Sequence, residues 1–199
     1  MNTFELIATV FAFTYVIFQV MQKKLMWYLS IITAVLYLWV YFSNHLFAMA
    51  AVQLYLIGAG VYGIISWTSS KNNVEAAGGD SRVVYRKFDK KLGAVSIAVS
   101  VVVFFLLHHL LEISSDSHPW MDAALATNTM LATFYTGRQY IVSWIMWFVA
   151  DAVSVVFYFK CGMYPTAVLF AYYVVVAVIG YFNWKNKGVC EDVATQTDK

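Results

Sequence analysis

The sequence predicts an all-α integral membrane protein of seven transmembrane helices, and three observations carry that prediction. Of 199 residues, 61% are apolar or aromatic and 12% are charged, about half the charge of an average soluble domain. Seven stretches reach the roughly 20 mostly apolar residues needed to cross a hydrocarbon core of about 30 Å. Seven tryptophans and fourteen tyrosines suit two membrane interfaces, where amphipathic rings sit at headgroup level. This composition excludes a soluble enzyme and a disordered chain alike. A net charge of +2 gives no reason to expect nucleic acid as a partner.

The first span is expected at about residues 4–20. It lacks the basic start and small-residue cleavage site of a signal peptide, and it ends at Lys23-Lys24, so it reads as retained. Spans at about 26–43 and 46–67 follow. Residues 68–90 are rich in Gly, Ser, Asn and charge and read as a loop. A linker span follows at about 91–111. The spans at about 119–138 and 141–159 meet at Gly137, Arg138 and Gln139, so a tight helical hairpin is expected. The last span lies at about 164–184, and a polar tail covers 185–199. The whole chain makes one membrane domain.

Orientation follows from basic residues in short loops. With the N-terminus outside, twelve of the thirteen Lys and Arg fall on the inner side, and Lys160 alone falls outside. The expected orientation in the membrane has the N-terminus outside and the C-terminus cytoplasmic. Cys161 and Cys190 then lie on opposite sides and cannot bridge within one chain.

Sliding the chain by 117 positions lays Trp27–Trp67 on Trp144–Trp184 without a gap, with eight of the 41 pairs identical. Both end tryptophans match, as do Tyr41/Tyr158 and Gly63/Gly180; Glu5/Asp122 and Gln22/Gln139 fall on compatible residues. The expected architecture is a 3+1+3 repeat: residues of about 4–67, a linker helix, and residues of about 119–184. One extra crossing makes the two triplets parallel. Transporters use that arrangement, with the substrate site at the repeat interface near mid-membrane.

Ionisable groups inside a membrane are functional candidates by default. Trp144, Trp147 and Asp151 are spaced i, i+3, i+7 and share one helical face. Two indoles above a carboxylate suit a flat cationic ligand, through stacking and cation–π attraction. The bland alternative makes Trp144 an interface anchor and Asp151 a helix-packing group. Gln53 and Tyr55 lie in the third span; the glutamine donates and accepts at once, as an amide ligand would require. A helix–helix hydrogen bond would explain them equally well. Asp122, Thr129, Thr133 and Thr136 form a stripe on the fifth span, though Thr also bonds back to its own helix. No metalloprotease, serine-hydrolase or phosphate-loop motif is present, so no enzymatic activity, metal or cofactor is expected.

The order Gln53-x8-Tyr62-Gly63-x3-Trp67, then Asp122-x15-Arg138-x5-Trp144-x2-Trp147-x3-Asp151 and Gly162-x-Tyr164, resembles the PnuC-type vitamin transporters over nearly the whole chain. The resemblance implies a SWEET-like fold and facilitated diffusion of nicotinamide riboside, trapped inside by a cytoplasmic kinase. It also places Gln53, Trp144, Trp147 and position 151 around the ligand. The family's usual asparagine is Asp151 here, and a tryptophan that often follows the span-three glycine is Ile64. Both departures touch ligand preference, so thiamine or another vitamin is the alternative substrate. A ligand-binding receptor or sensor subunit is the alternative of another class. The expected partners are the vitamin and the bilayer, and a homo-oligomer is compatible with the sequence.

Overall fold

The computed structural model describes residues 15–43, 45–76, 84–114 and 117–190. Residues 4–14 of the first expected span, with Glu5, lie outside the described residues, as do Asn44 and 191–199 of the tail. Helix α1 is described over residues 15–20. It is followed by α2 (Leu25–Ser43), α3 (Phe47–Ala76), α4 (Lys90–Ile113), α5 (Pro119–Gly137), α6 (Val142–Lys160) and α7 (Tyr164–Lys187). Five of these, α2, α3, α4, α6 and α7, are long and apolar enough to cross a membrane. Their outward faces carry bare apolar side chains such as Trp39, Ile65, Val102 and Val168, as lipid contact requires.

Helix α5 has 19 residues, as α2 and α6 do, yet it falls outside that apolar set. Its position explains this. It packs against α3, α4 and α6 and buries Thr127, Thr133, Tyr135 and Thr136, so much of its surface meets protein rather than lipid. Proline at its first turn costs no helical hydrogen bond there.

One expectation needs correction. The segment 68–90 is not loop throughout, because α3 runs on to Ala76. The Thr68 hydroxyl bonds back to the Ile64 carbonyl at 2.7 Å, so the polar run extends the helix instead of ending it. The fold is all-α as expected, with one two-residue ladder, β1 (Val84–Tyr85) paired in parallel with β2 (Val189–Cys190), inside the expected loop and tail.

Four tight helical turns among the described residues share one geometry. Gln22, His45, Gln139 and Gly162 all take left-handed φ angles of 50°, 60°, 63° and 75°. At the first, Lys23 N donates to Phe18 O at 2.9 Å and Gln22 N to Gln19 O at 3.1 Å; at the third, Tyr140 N donates to Tyr135 O and Gln139 N to Thr136 O at 2.9 and 3.0 Å. The second and fourth turns repeat this with Leu46 to Tyr41 and Met163 to Tyr158, both 2.9 Å. This is the Schellman helix ending, which satisfies the last carbonyls of a helix. Each pair of equivalent turns is 117 residues apart.

These turns and the chain connectivity put Lys23, Lys24, Arg86, Lys87, Lys90, Lys91, Arg138, Lys185 and Lys187 at one end of the bundle, the basic end, and Lys160 at the other. Residues 84–86 form a strap across the basic end. The Gln22 carboxamide holds Val84 by both N–H and C=O at 2.7 Å. Arg86 N donates to Gln139 O at 2.8 Å, and Ile141 N to Arg86 O at 3.1 Å. Beneath the strap sits a core of Met26, Trp27, Trp67, Trp144, Ala177 and Trp184. A second core, with Ala48, Val52, Leu107, Leu111, Ala123 and Ala126, joins α3, α4 and α5 at the opposite end.

Candidate functional site

The four tryptophans of the basic-end core pack edge to face. Trp27 meets Trp67 at 5.3 Å, Trp67 meets Trp184 at 6.2 Å, and Trp184 meets Trp144 at 5.4 Å, within the range favoured by ring quadrupoles. Glycine makes room for two of them. A Cβ at Gly63 would collide with the Trp27 ring, and one at Gly180 with the Trp144 ring. The donors run crosswise: Trp67 Nε1 donates to Thr136 O at 3.0 Å, at the end of α5, and Trp184 Nε1 to Val20 O at 3.1 Å, at the end of α1.

Trp144 and Ala177 of this core also floor a cleft of about 160 Å³. Its walls are Tyr15, Val16 and Gln19 from α1, Trp147 and Asp151 from α6, and Phe170 and Tyr173 from α7. Trp144, Trp147 and Asp151 therefore share the cleft, as the helical spacing required. Trp147 is held in place by its Nε1, which donates to Thr136 Oγ1 at 3.2 Å. Asp151 is 7% exposed and makes no hydrogen bond or ion pair among the described residues, so its carboxylate faces the cleft unmatched. A buried carboxylate without a partner is costly, and a ligand that matches it gains accordingly.

Above the cleft the aromatic lining continues. Phe170 stacks on Tyr158 at 5.3 Å and meets Tyr173 at 5.9 Å. Tyr158 and Tyr41 lie within electrostatic range of each other and of Asp122. Asp122 thus lies beside Tyr41 and Tyr158 and does not line the cleft.

The remaining expected residues lie elsewhere. Gln53 is half-buried on α3 and does not line the cleft. Tyr55 donates to the Met130 carbonyl at 2.9 Å and lines a separate apolar cavity of about 290 Å³ between α3, α4 and α5. Thr129 and Thr133 do not line the cleft either; of their stripe, Thr136 reaches it through Trp147. Sequence reasoning missed Tyr15, Gln19, Phe170 and Tyr173. A signal was present: Phe170, Tyr173 and Ala177 repeat the i, i+3, i+7 spacing of Trp144, Trp147 and Asp151.

The family model described as the nicotinamide mononucleotide transporter matches residues 2–186. The chain is 20% identical over 189 residues to the nicotinamide riboside transporter PnuC of Escherichia coli K12, covering 83% of this chain and 78% of that one. The Shigella flexneri protein of the same name gives the same figures. The crystal structure of the vitamin B3 transporter PnuC is similar in fold, with a TM-score of 0.62 at 19% identity over 89% of this chain and 78% of the other. Members of this family are transporters and not enzymes, as expected, which sets aside the receptor or sensor reading. The chain belongs to the nicotinamide mononucleotide transporter family, and it is a PnuC-type multi-pass membrane transporter of a vitamin-like small molecule.

Proposed function

We propose that the chain takes up nicotinamide riboside by facilitated diffusion, and that a cytoplasmic kinase traps the product by phosphorylation. One observation carries the reading: an unmatched, buried Asp151 shares a cleft with Trp144 and Trp147. A pyridinium ring stacked on indole offers its positive charge to that carboxylate, with cation–π attraction of about 0.5–2 kcal/mol. The name of the Escherichia coli relative favours the riboside. Among the described membrane residues, Asp151 has no basic partner, which favours passage down the substrate gradient without an obligatory ion.

The architecture in this reading is a 3+1+3 parallel repeat with the N-terminus outside and the basic end cytoplasmic. The matched turns and tryptophans 117 residues apart support it. Under that repeat, Gln53 and Thr133 stand at the positions equivalent to cleft-lining Phe170 and Val16, so they face the pathway from the opposite half. Tyr55, Asp122 and Thr129 flank it, and copies of the chain associate in the bilayer.

Asp151 itself favours a second substrate, thiamine, because a full negative charge suits a thiazolium or a protonated aminopyrimidine. Thermal shift of the purified protein with nicotinamide riboside, thiamine, riboflavin and uncharged nucleosides separates the two. Stabilisation by the riboside above the others is expected. Stabilisation by thiamine alone would transfer the assignment. Uptake into sealed vesicles should need a substrate gradient only. A requirement for an imposed proton or sodium gradient would refute the coupling.

A further inference from the structure

Asp151 is not the only polar group that the cleft leaves unmatched. Gln19, on the α1 wall, is 3% exposed and lines the same space, and its carboxamide makes no hydrogen bond among the described residues. A carboxamide has two donor and two acceptor positions, and buried polar groups almost always find partners. The other buried glutamines are differently placed. Gln22 spends its carboxamide on Val84, and the side-chain Nε2 and Oε1 of Gln139 are sealed from any open space.

The position 117 residues after Gln19 is Thr136, and the two differ in their partners. Thr136 is used up: its hydroxyl donates to Ala132 O at 2.8 Å and accepts from Trp147 at 3.2 Å. In the first half the residue equivalent to Trp147 is Ser30, so no indole N–H is there to engage Gln19. A longer amide stands where the other segment has a hydroxyl, it has no hydrogen-bond partner among the described residues, and it lines the cleft that also holds Asp151.

We propose that Gln19 is a specificity-determining residue that reads a neutral carboxamide on the edge of an aromatic cation, while Trp147 stacks the ring and Asp151 faces its charge. This rests on the cleft being the substrate seat. A carboxamide can pair with Gln19 by donating and accepting at once; a ring without that group leaves Gln19 buried and unpaired, which a site built for hydrogen bonding penalises.

The test is a cycle of protein variant against ligand truncation, read by calorimetry. The probes are nicotinamide riboside and the N-ribosylpyridinium ion, which is the same riboside without its carboxamide. Wild type should prefer the carboxamide riboside by about tenfold or more. Gln19→Met, nearly the same length and apolar, should bring the two affinities within about twofold by weakening the carboxamide riboside alone. Gln19→Leu, with a differently shaped side chain, must give the same pattern. A preference that survives both substitutions, or an equal loss for both ligands, overturns the proposal. Trp147→Ala keeps the two readings apart. If it binds both ligands like wild type, the seat itself is wrong; if it loses both while Gln19→Met keeps the preference, the Gln19 assignment alone falls.

Discussion

Residues 27–67 and 144–184 carry the same frame. Each has a tryptophan resting on a glycine of its neighbouring helix, Trp27 on Gly63 and Trp144 on Gly180, and each has a left-handed turn between them. Each ends in a tryptophan whose N–H caps a helix end, Trp67 on α5 and Trp184 on α1. Between these fixed points the halves diverge. Where α6 has Trp147 and Asp151, α2 has Ser30 and Ala34. The frame tolerates no change because it is packed at indole–backbone contact, whereas residues facing the cleft are free to differ. Scaffold is shared between the two segments, and the cleft-lining Trp147 and Asp151 of the second have no counterpart in the first.

The largest effects should come from attacking the frame. Gly63→Ala and Gly180→Ala each drive a Cβ into an indole ring, and overpacking of this kind costs about 1–3 kcal/mol or more. Both should lower the unfolding temperature in detergent by similar amounts. Gly58→Ala, with no atom within 4 Å of the new Cβ, should leave it unchanged or raised. A large gap between the Gly63 and Gly180 variants would break the equivalence of the halves.

Next come the residues that differ. Trp147→Ala should weaken ligand binding by about 1–3 kcal/mol, the range found for aromatic stacking on bases. Ser30→Ala, at the matching position, should leave the calorimetric affinity unchanged. Equal losses would mean that both halves hold ligand. Asp151→Asn keeps the shape and hydrogen-bonding capacity but removes the charge. It restores the residue usual in the resembling transporters, and its carboxamide oxygen still faces the pyridinium while Trp147 still stacks the ring, so riboside affinity should fall by no more than about threefold. Thiamine affinity should fall by about tenfold, or about 1.4 kcal/mol.

The smallest effect belongs to the turns. His45 occupies the position where the other half has Gly162, and a non-glycine residue in the left-handed region costs about 1–2 kcal/mol. His45→Gly should stabilise the fold by about 1 kcal/mol or less once the added freedom of the unfolded chain is counted, which shows as a small rise in the unfolding temperature. Gly162→His should lower it.

The helices were legible because lipid demands long apolar runs, and the Trp–Gly spacing was legible because close packing permits few substitutions. Periodicity says which residues share a face, not which helix that face meets. This is why Trp144, Trp147 and Asp151 could be grouped from sequence, while Gln19 and Tyr15 from α1 and Phe170 and Tyr173 from α7 could not be joined to them. Tyr55 illustrates the converse. It lies two residues from Gln53, and residues two apart on a helix do not share a face, so one site for both was already improbable. The strap escaped notice because a two-residue ladder leaves no alternation to read.

The crossed indole donors at the basic end have an optical consequence. Trp67 and Trp184 are fully buried, and each bridges two helices distant in sequence, α3 to α5 and α7 to α1. Any movement that parts the halves at that end must break both hydrogen bonds and admit water to several rings at once. Indole emits at longer wavelength when its surroundings become polar, so separation would shift the intrinsic fluorescence to the red without an attached dye. Trp39 and Trp120, exposed at 74% and 58%, contribute a background that such a movement would leave unchanged. The chain thus carries its own spectroscopic gauge of whether that end is shut.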